Sequence, residues 1–291
     1  MYSIAQLSEL SGIRPHTIRI WEKRYSLLFP DRTNTNVRRY DDSQLRRLLN
    51  VVTLLKNGVK ISRIATFTEK EINELIDRKI KEEESTDFTV EVLINQLFVA
   101  GLAFNETDFE KAFSSAILKI GVKGTYLKVI YPMLVRAGYM WQNTSLAPCQ
   151  EHFMTNIVKR KLFTAIDALP GPVKSKRKWI LFLMENEYHE IGLLFAYYLL
   201  RSAGHNVVYL GPSIPYEDLK ITAEKYNPTD LLFFSVHKIS KNVIQKYLKR
   251  IETEFKKINI VLSANSDTLK GLKHTGNVKL ISTVNEFEDL F

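Results

Sequence analysis

The chain has 291 residues, 45% hydrophobic and 25% charged, the balance of an ordinary globular protein of two or three domains. Its formal charge of +9 favours an anionic partner. The single cysteine, Cys149, excludes an internal disulfide and a multi-cysteine zinc site; no apolar run reaches the length of a membrane span and the N-terminus lacks a signal pattern, so a cytoplasmic protein with no membrane role is expected.

The chain opens with a helix capped by Ser3, whose Ile4, Leu7 and Leu10 share one face. Ser11-Gly12-Ile13 reads as a tight turn, and Pro15 suits the first turn of a second helix over residues 16–24. Helix, glycine turn, helix is a helix-turn-helix pattern, whose second helix normally enters the DNA major groove. That segment carries Arg14, His16, Thr17, Arg19, Lys23 and Arg24, while Ile18 and Trp21 can face inward. Residues 29–40 read as a two-stranded wing that would set Arg38, Arg39 and Tyr40 against phosphates. A further helix follows to about residue 57, with Leu45, Leu48, Leu49, Val52 and Leu55 as its apolar stripe. Residues 1–63 hold twelve Lys and Arg against five Asp and Glu, a surplus of seven that is the electrostatic footprint of nucleic-acid binding.

Ile4-Ala5-Gln6-Leu7, Thr17-Ile18-Arg19, Trp21-Glu22-Lys23-Arg24-Tyr25, Pro30-Asp31-Arg32-Thr33 and Arg38-Arg39-Tyr40 together resemble the MerR family of winged transcriptional regulators. Trp21 in place of the family's common Tyr resembles the branch that includes carotenoid-gene repressors. The resemblance implies a DNA-binding domain over residues 1–75 that recognises double-stranded promoter DNA. Residues 76–87 are charged and read as a linker or an exposed helix end, without the sustained heptads of a dimerisation coiled coil.

Residues 88–169 read as a four-helix bundle, with helices near 90–104, 106–120, 121–139 and 147–168. Trp141 lies in its last loop, and Glu151-His152 on the helix that follows. From residue 178 to 291, strands at 179–184, 206–210, 231–235, 259–262 and 279–281 alternate with helices at 193–203, 216–226, 241–255 and 267–272. That alternation predicts a doubly wound, flavodoxin-like parallel sheet. The expected architecture is thus a winged helix-turn-helix, a helical bundle and an α/β domain.

Glu187-x-His189-x-x-Gly192 follows the first of those strands, where open α/β sheets bind ligands, and neutral imidazole is the commonest metal ligand. With Leu210-Gly211-Pro212-Ser213 and Ser235, it resembles the cobalamin-binding domain, in which a histidine of an Asp-x-His-x-x-Gly motif takes the lower cobalt position. The resemblance implies His189 as cobalt ligand, Glu187 as its hydrogen-bond partner and Ser235 as a contact for the nucleotide tail. Trp141 followed by Glu151-His152 resembles the upper-ligand signature of light-sensing repressors that use adenosylcobalamin, which implies a bundle that caps the cofactor and a homo-oligomer under its control. This chain departs from those patterns in Glu187 for Asp, Gln142 for a His common in the light sensors, His237 for a small aliphatic residue, and Ser263-Ala264 for Gly-Gly. A second expectation is therefore a cobalamin-independent regulator whose α/β surface binds an antagonist protein. An enzyme, such as a mutase or methyltransferase subunit, is disfavoured by the fused DNA-binding segment.

Overall fold

The computed structural model describes residues 1–82, 86–142, 146–172, 177–237 and 239–291, with the side chains of Thr86, Trp141 and Gln142 also left aside. The chain opens with α1 (Ile4–Ser11) and α2 (Pro15–Tyr25), then the wing strands β1 (Asp31–Arg32) and β2 (Arg38–Arg39), then α3 (Asp42–Lys56), α4 (Ile61–Ile64) and α5 (Glu69–Glu82). Ser3 and Gln6 close a reciprocal capping box on α1, and Gly12 ends it with φ of +71°, a conformation that favours glycine. Asp41 caps α3 by accepting from Gln44 N at 2.8 Å.

The bundle follows as α6 (Thr86–Leu102), α7 (Glu106–Thr125), a π-helical turn (Tyr126–Ile130), α8 (Tyr131–Gln142) and α9 (Pro148–Asp167). The expected break between the second and third bundle helices falls at Gly121, whose φ of 69° and ψ of 173° kink α7. Residues 76–82, expected as a linker or an exposed helix end, form the last two turns of α5, anchored by buried Ile76 and with Asp77, Arg78, Lys81 and Glu82 exposed. Residues 83–85 of that expected linker lie outside the described residues. From Val92 to Leu102 every residue of α6 except Gln96 is buried, the mark of a central helix. α3 is buried more widely than its expected stripe: Val51, Thr53 and Leu54 join it, because α6 packs along its other side.

The C-terminal elements are β3 (Lys178–Met184), α10 (Ile191–Ser202), β4 (Asn206–Ile214), α11 (Tyr216–Tyr226), β5 (Asp230–Ser235), α12 (Lys241–Glu254), β6 (Asn259–Ala264), α13 (Ser266–Leu269), β7 (Val278–Ile281) and α14 (Val284–Glu288). All strand pairs are parallel, in the order β4-β3-β5-β6-β7. This is the flavodoxin-like order, with its switch point between β3 and β5. Ile180, Phe182, Leu231, Phe233, Ile260 and Leu262 form one core with Leu219 of α11 and Ile244, Leu248 and Ile251 of α12. β4 runs further than expected, through Gly211 and Ser213, by adopting positive φ at both and shifting its register against β3. The turn of α14 was not foreseen; Thr283 and Glu286 form its capping box.

Two compact units divide the chain within α9, at Met1–Ile157 and Val158–Phe291. Among the described residues no helix is long and apolar enough to cross a membrane.

Gly101 of α6 marks a close helix approach, since a Cβ there would lie 2.3 Å from Sδ of Met154 on α9. Gly101→Ala should therefore lower stability by about 1–3 kcal/mol, as overpacking does. Met154→Ala in the same protein should recover part of that loss, giving a coupling energy in a double-mutant cycle measured by denaturant unfolding.

Candidate functional sites

The winged segment presents one basic face. Ile18 and Trp21 pin α2 to the core, so Arg14, His16, Arg19, Lys23 and Arg24 are exposed on its outer side, with Thr17 half-buried among them. The wing pairs Asp31 with Arg39 and Arg32 with Arg38, and its tip closes through Thr33 N to Val37 O and Asn36 at φ of +62°. Arg39 and Arg32 are exposed. Arg32 was not singled out in the sequence; it pairs across the wing with Arg38, and its guanidinium donates to Asn36 Oδ1 at 2.5 Å at the wing tip.

Arg38 and Tyr40 turn back toward α2. Arg38 Nε donates to Glu22 Oε2 at 3.0 Å, and Tyr40 OH donates to Glu22 Oε1. Tyr40 is 0% exposed, so the expectation that it meets phosphate does not hold. In a strand next to exposed Arg39 the following side chain points inward. Burial, then its bond to Glu22, pushes the Tyr40 hydroxyl above its ordinary pKa. Glu22 thereby ties the wing to the recognition helix.

The second site lies at the carboxyl ends of β3 and β5. Glu187 is 0% exposed, and its carboxylate is surrounded by donors. Oε1 accepts from Tyr188 N at 3.0 Å and His189 N at 3.1 Å, and meets His189 Nδ1 at 2.6 Å. Oε2 accepts from Val236 N at 3.0 Å and His237 N at 2.8 Å, both just after β5. Ser213 N donates to the Glu187 carbonyl at 3.0 Å, which brings in the end of β4. Burial pushes the Glu187 pKa up, but the bonds from His189, His237 and Val236 outweigh it and hold the group down at about 2. An ionised carboxylate at Nδ1 requires the proton on that nitrogen, so the imidazole carries its lone pair on Nε2.

Around His189 stand Tyr188, 64% exposed, and Val236, with the His237 ring parallel to the His189 ring at a centroid distance of 6.1 Å. Ser235 Oγ is buried and has no hydrogen-bond partner among the described residues. Gly192 lies in the first turn of α10. Ser235 pairs in register with Ala264, so Ser263 and Ala264 end the neighbouring strand beside it. Glu190, which the sequence did not single out, accepts from Lys159 Nζ at 3.2 Å and from Tyr209 OH at 2.8 Å. The structure brings Glu187 and His189 together, while Ser235 ends β5 immediately before Val236, whose N–H reaches Glu187.

In the other unit, Glu151 and His152 form an ion-pair geometry of 2.8 Å on the first turns of α9, with His152 largely exposed. Trp141 and Gln142 end α8, and their side chains lie outside the described residues.

Comparison with known proteins agrees with this layout. Residues 2–71 match the model of the MerR HTH family regulatory proteins, and residues 93–165, spanning most of α6 to α9, match the B12 binding domain. The HTH-type transcriptional repressor CarH of Myxococcus xanthus is 29% identical over 220 residues, covering 75% of this chain and 73% of that protein. The HTH-type transcriptional regulator MlrA of Escherichia coli strain K12 is 32% identical over 71 residues, 24% of this chain and 29% of that protein. Among solved structures, the monomethylamine corrinoid protein of Methanosarcina barkeri superposes with a TM-score of 0.51 at 14% identity, over 68% of this chain and 96% of that one, a likeness of fold.

Arg39→Ala should weaken binding to operator and random DNA alike and reduce the log–log salt slope by about 1, read from binding isotherms at several salt concentrations. An unchanged slope would remove Arg39 from the interface.

Glu187 ionises below its ordinary value of 4.5, so the stability it contributes is present above about pH 4.5 and is lost as the pH falls toward 2. Amide exchange at Val236 and His237, taken relative to its intrinsic rate at each pH, should accelerate through that window. In Glu187→Gln, which offers fewer acceptors, it should be fast already at neutral pH.

Proposed function

We propose that the chain is a transcriptional regulator in which a MerR HTH domain is joined to a B12-binding domain, and that its α/β unit holds a cobalamin through His189 and so controls how the protein assembles on promoter DNA, a reading supported by the matches over residues 2–71 and 93–165. One observation carries the reading. At the switch point of the sheet, a buried carboxylate at Nδ1 of His189 fixes the tautomer that carries the lone pair on Nε2, the nitrogen a metal would take. Two further features fit a corrinoid. Tyr188 and Val236 expose large side chains on either side of the Glu187 carboxylate, and the buried Ser235 hydroxyl, without a partner among the described residues, suits a polar atom of the nucleotide tail.

In this proposal Arg14, His16, Thr17, Arg19, Lys23, Arg24, Arg38 and Arg39 serve the DNA, with Arg38 shared between phosphate and Glu22. His189 holds the lower face, Glu187 sets its orientation and basicity, and Gly192 allows α10 to begin close by. Trp141, Glu151 and His152 serve the upper ligand. A bound cobalamin supplies a cobalt centre with an exchangeable upper ligand, adenosyl in the form proposed, whose bond to cobalt is sensitive to light. Differential packing of the bundle with and without that ligand would shift the balance between assembly states, and a homo-oligomer would bind a promoter as a repressor.

A second reading has one observation in its favour. Ser263 and Ala264 carry side chains beside Ser235, where the resemblance implies glycines that let the tail approach backbone. In that reading the α/β unit binds an antagonist protein and no corrinoid.

The test is incubation of the full chain with adenosylcobalamin in the dark, followed by gel filtration with detection in the visible. Co-elution of the corrinoid, a larger assembly in the dark than after illumination, and loss of co-elution in His189→Ala are expected. No uptake by the wild type would pass the reading to the antagonist protein. Uptake without any change in assembly on illumination would remove the light response.

A further inference from the structure

We infer that a buried relay, Arg136–Asn95–Thr53, is the joint that locks the winged domain onto the bundle in one register and passes a change in bundle packing to the DNA-binding face. The regulatory half of this inference rests on the functional reading above; the joint itself does not.

The three residues come from three helices. Thr53 of α3 is 1% exposed and Asn95 of α6 is 4% exposed. Arg136 Nη1 donates to Asn95 Oδ1 at 3.1 Å, Asn95 Nδ2 donates to Thr53 Oγ1 at 3.0 Å, and Thr53 Oγ1 donates to Leu49 O at 3.0 Å. The direction of every bond is forced. Arginine has no acceptor, so the amide oxygen must face Arg136; the amide nitrogen then faces Thr53, whose proton goes to the Leu49 carbonyl. Asn95 is the one buried polar side chain in the apolar stretch from Val92 to Leu102, and the Arg136 guanidinium stands 5.0 Å over the Phe98 ring. A slip of α3 along α6 by one turn would leave a buried amide without partners. A single polar residue in an apolar helix interface fixes register in this way. Lys56 and Glu91, at 3.1 Å, close the exposed end of the same contact.

Both ends of the relay reach functional ground. On the DNA side, α3 supports the recognition helix: Arg47 Nε donates to Leu27 O just after α2, and Asp42 accepts from Tyr2 OH. On the bundle side, Arg136 lies five residues before Trp141 on α8, about 7 Å along the helix axis. Arg136 also lines a cavity of about 600 Å³ with Tyr131, Val135 and Tyr139 of α8 and Glu9 of α1, so α8 borders a second helix of the winged segment. A shift of α8 thus meets α1 across the cavity and α3 through the relay.

The test uses the full chain with Thr53→Val, which keeps shape, and Asn95→Leu, with Lys56→Ala as a surface control. Hydrogen exchange should rise by about tenfold or more in both α3 and α6 for each buried variant, the scale of losing one buried hydrogen bond. Lys56→Ala should change it by less than about twofold, as an exposed pair does. A rise confined to α6, or none, would overturn the joint. Operator affinity is then compared with and without adenosylcobalamin in the dark. The wild type should respond, whereas Thr53→Val should show the wild-type corrinoid spectrum with a response reduced to within about twofold, since the relay's hydrogen-bond energy is the coupling being removed. A full response in Thr53→Val would overturn the regulatory half, and a corrinoid-bound wild type with no response would do the same. A wild type that takes up no corrinoid fails the functional reading instead, and exchange alone then decides the joint.

Discussion

The α/β unit depends on one buried negative charge. Glu187 is sealed from solvent, and its charge is met by backbone N–H groups and one imidazole. Such a charge is tolerated only where its hydrogen bonds are complete. Completing them requires the loop after β3 to curl around its own glutamate and the loop after β5 to bring Val236 and His237 to the same oxygen. The functional geometry follows from that requirement. His189 is oriented because its Nδ1 is one of the donors, and Ser235 is drawn to the switch point because the next two residues are donors. The longer glutamate, in place of aspartate, spans from its own turn to the neighbouring strand end.

A similar logic operates at the DNA-binding end with opposite partners. Glu22 is the acid within a basic surface, and by accepting from Arg38 and Tyr40 it sets the angle of the wing against the recognition helix. Arg14, Arg19, Lys23, Arg24, Arg32 and Arg39 remain exposed around it. The surface is positive because few acids dilute it, and it is shaped because one acid is spent on the wing. Between this end and the bundle, α3 is buried on both sides. The segment that matches the MerR HTH model and α6, the first helix that matches the B12 binding domain, therefore pack together within one compact unit.

Much of this was legible in the sequence because it follows from periodicity. The apolar run at 179–184 is β3 extended by one residue, and the alternation of strands and helices dictates the parallel sheet. That Glu187 and His189 lie at the end of β3, beside the end of β5, was legible because topology fixes where those strand ends lie. What was missed depends on side-chain direction or on partners distant in the chain. Tyr40 sits in a basic, aromatic stretch that suggests phosphate contact, but strand alternation turns it into the core. Residues 76–82 are charged enough to leave a linker and an exposed helix end both open, and burial of Ile76 beside Ile72 and Leu75 makes them a helix end. Glu190 follows the histidine in an obvious motif, and only its contacts with Lys159 and Tyr209 reveal its role. Asn95 left a signal, a lone amide in an apolar run, but its partners lie about forty residues away on either side.

The central claim is that the Nε2 atom of His189 is a cobalt ligand, and the most direct measurement is electron paramagnetic resonance of protein-bound cob(II)alamin. Histidine labelled with the heavy nitrogen isotope would be compared with the unlabelled protein. The account predicts that the nitrogen splitting on the cobalt signal changes to the heavy-isotope pattern on labelling and disappears in His189→Ala. A splitting that labelling leaves untouched would assign the lower position to a nitrogen that no histidine supplies and would contradict the account.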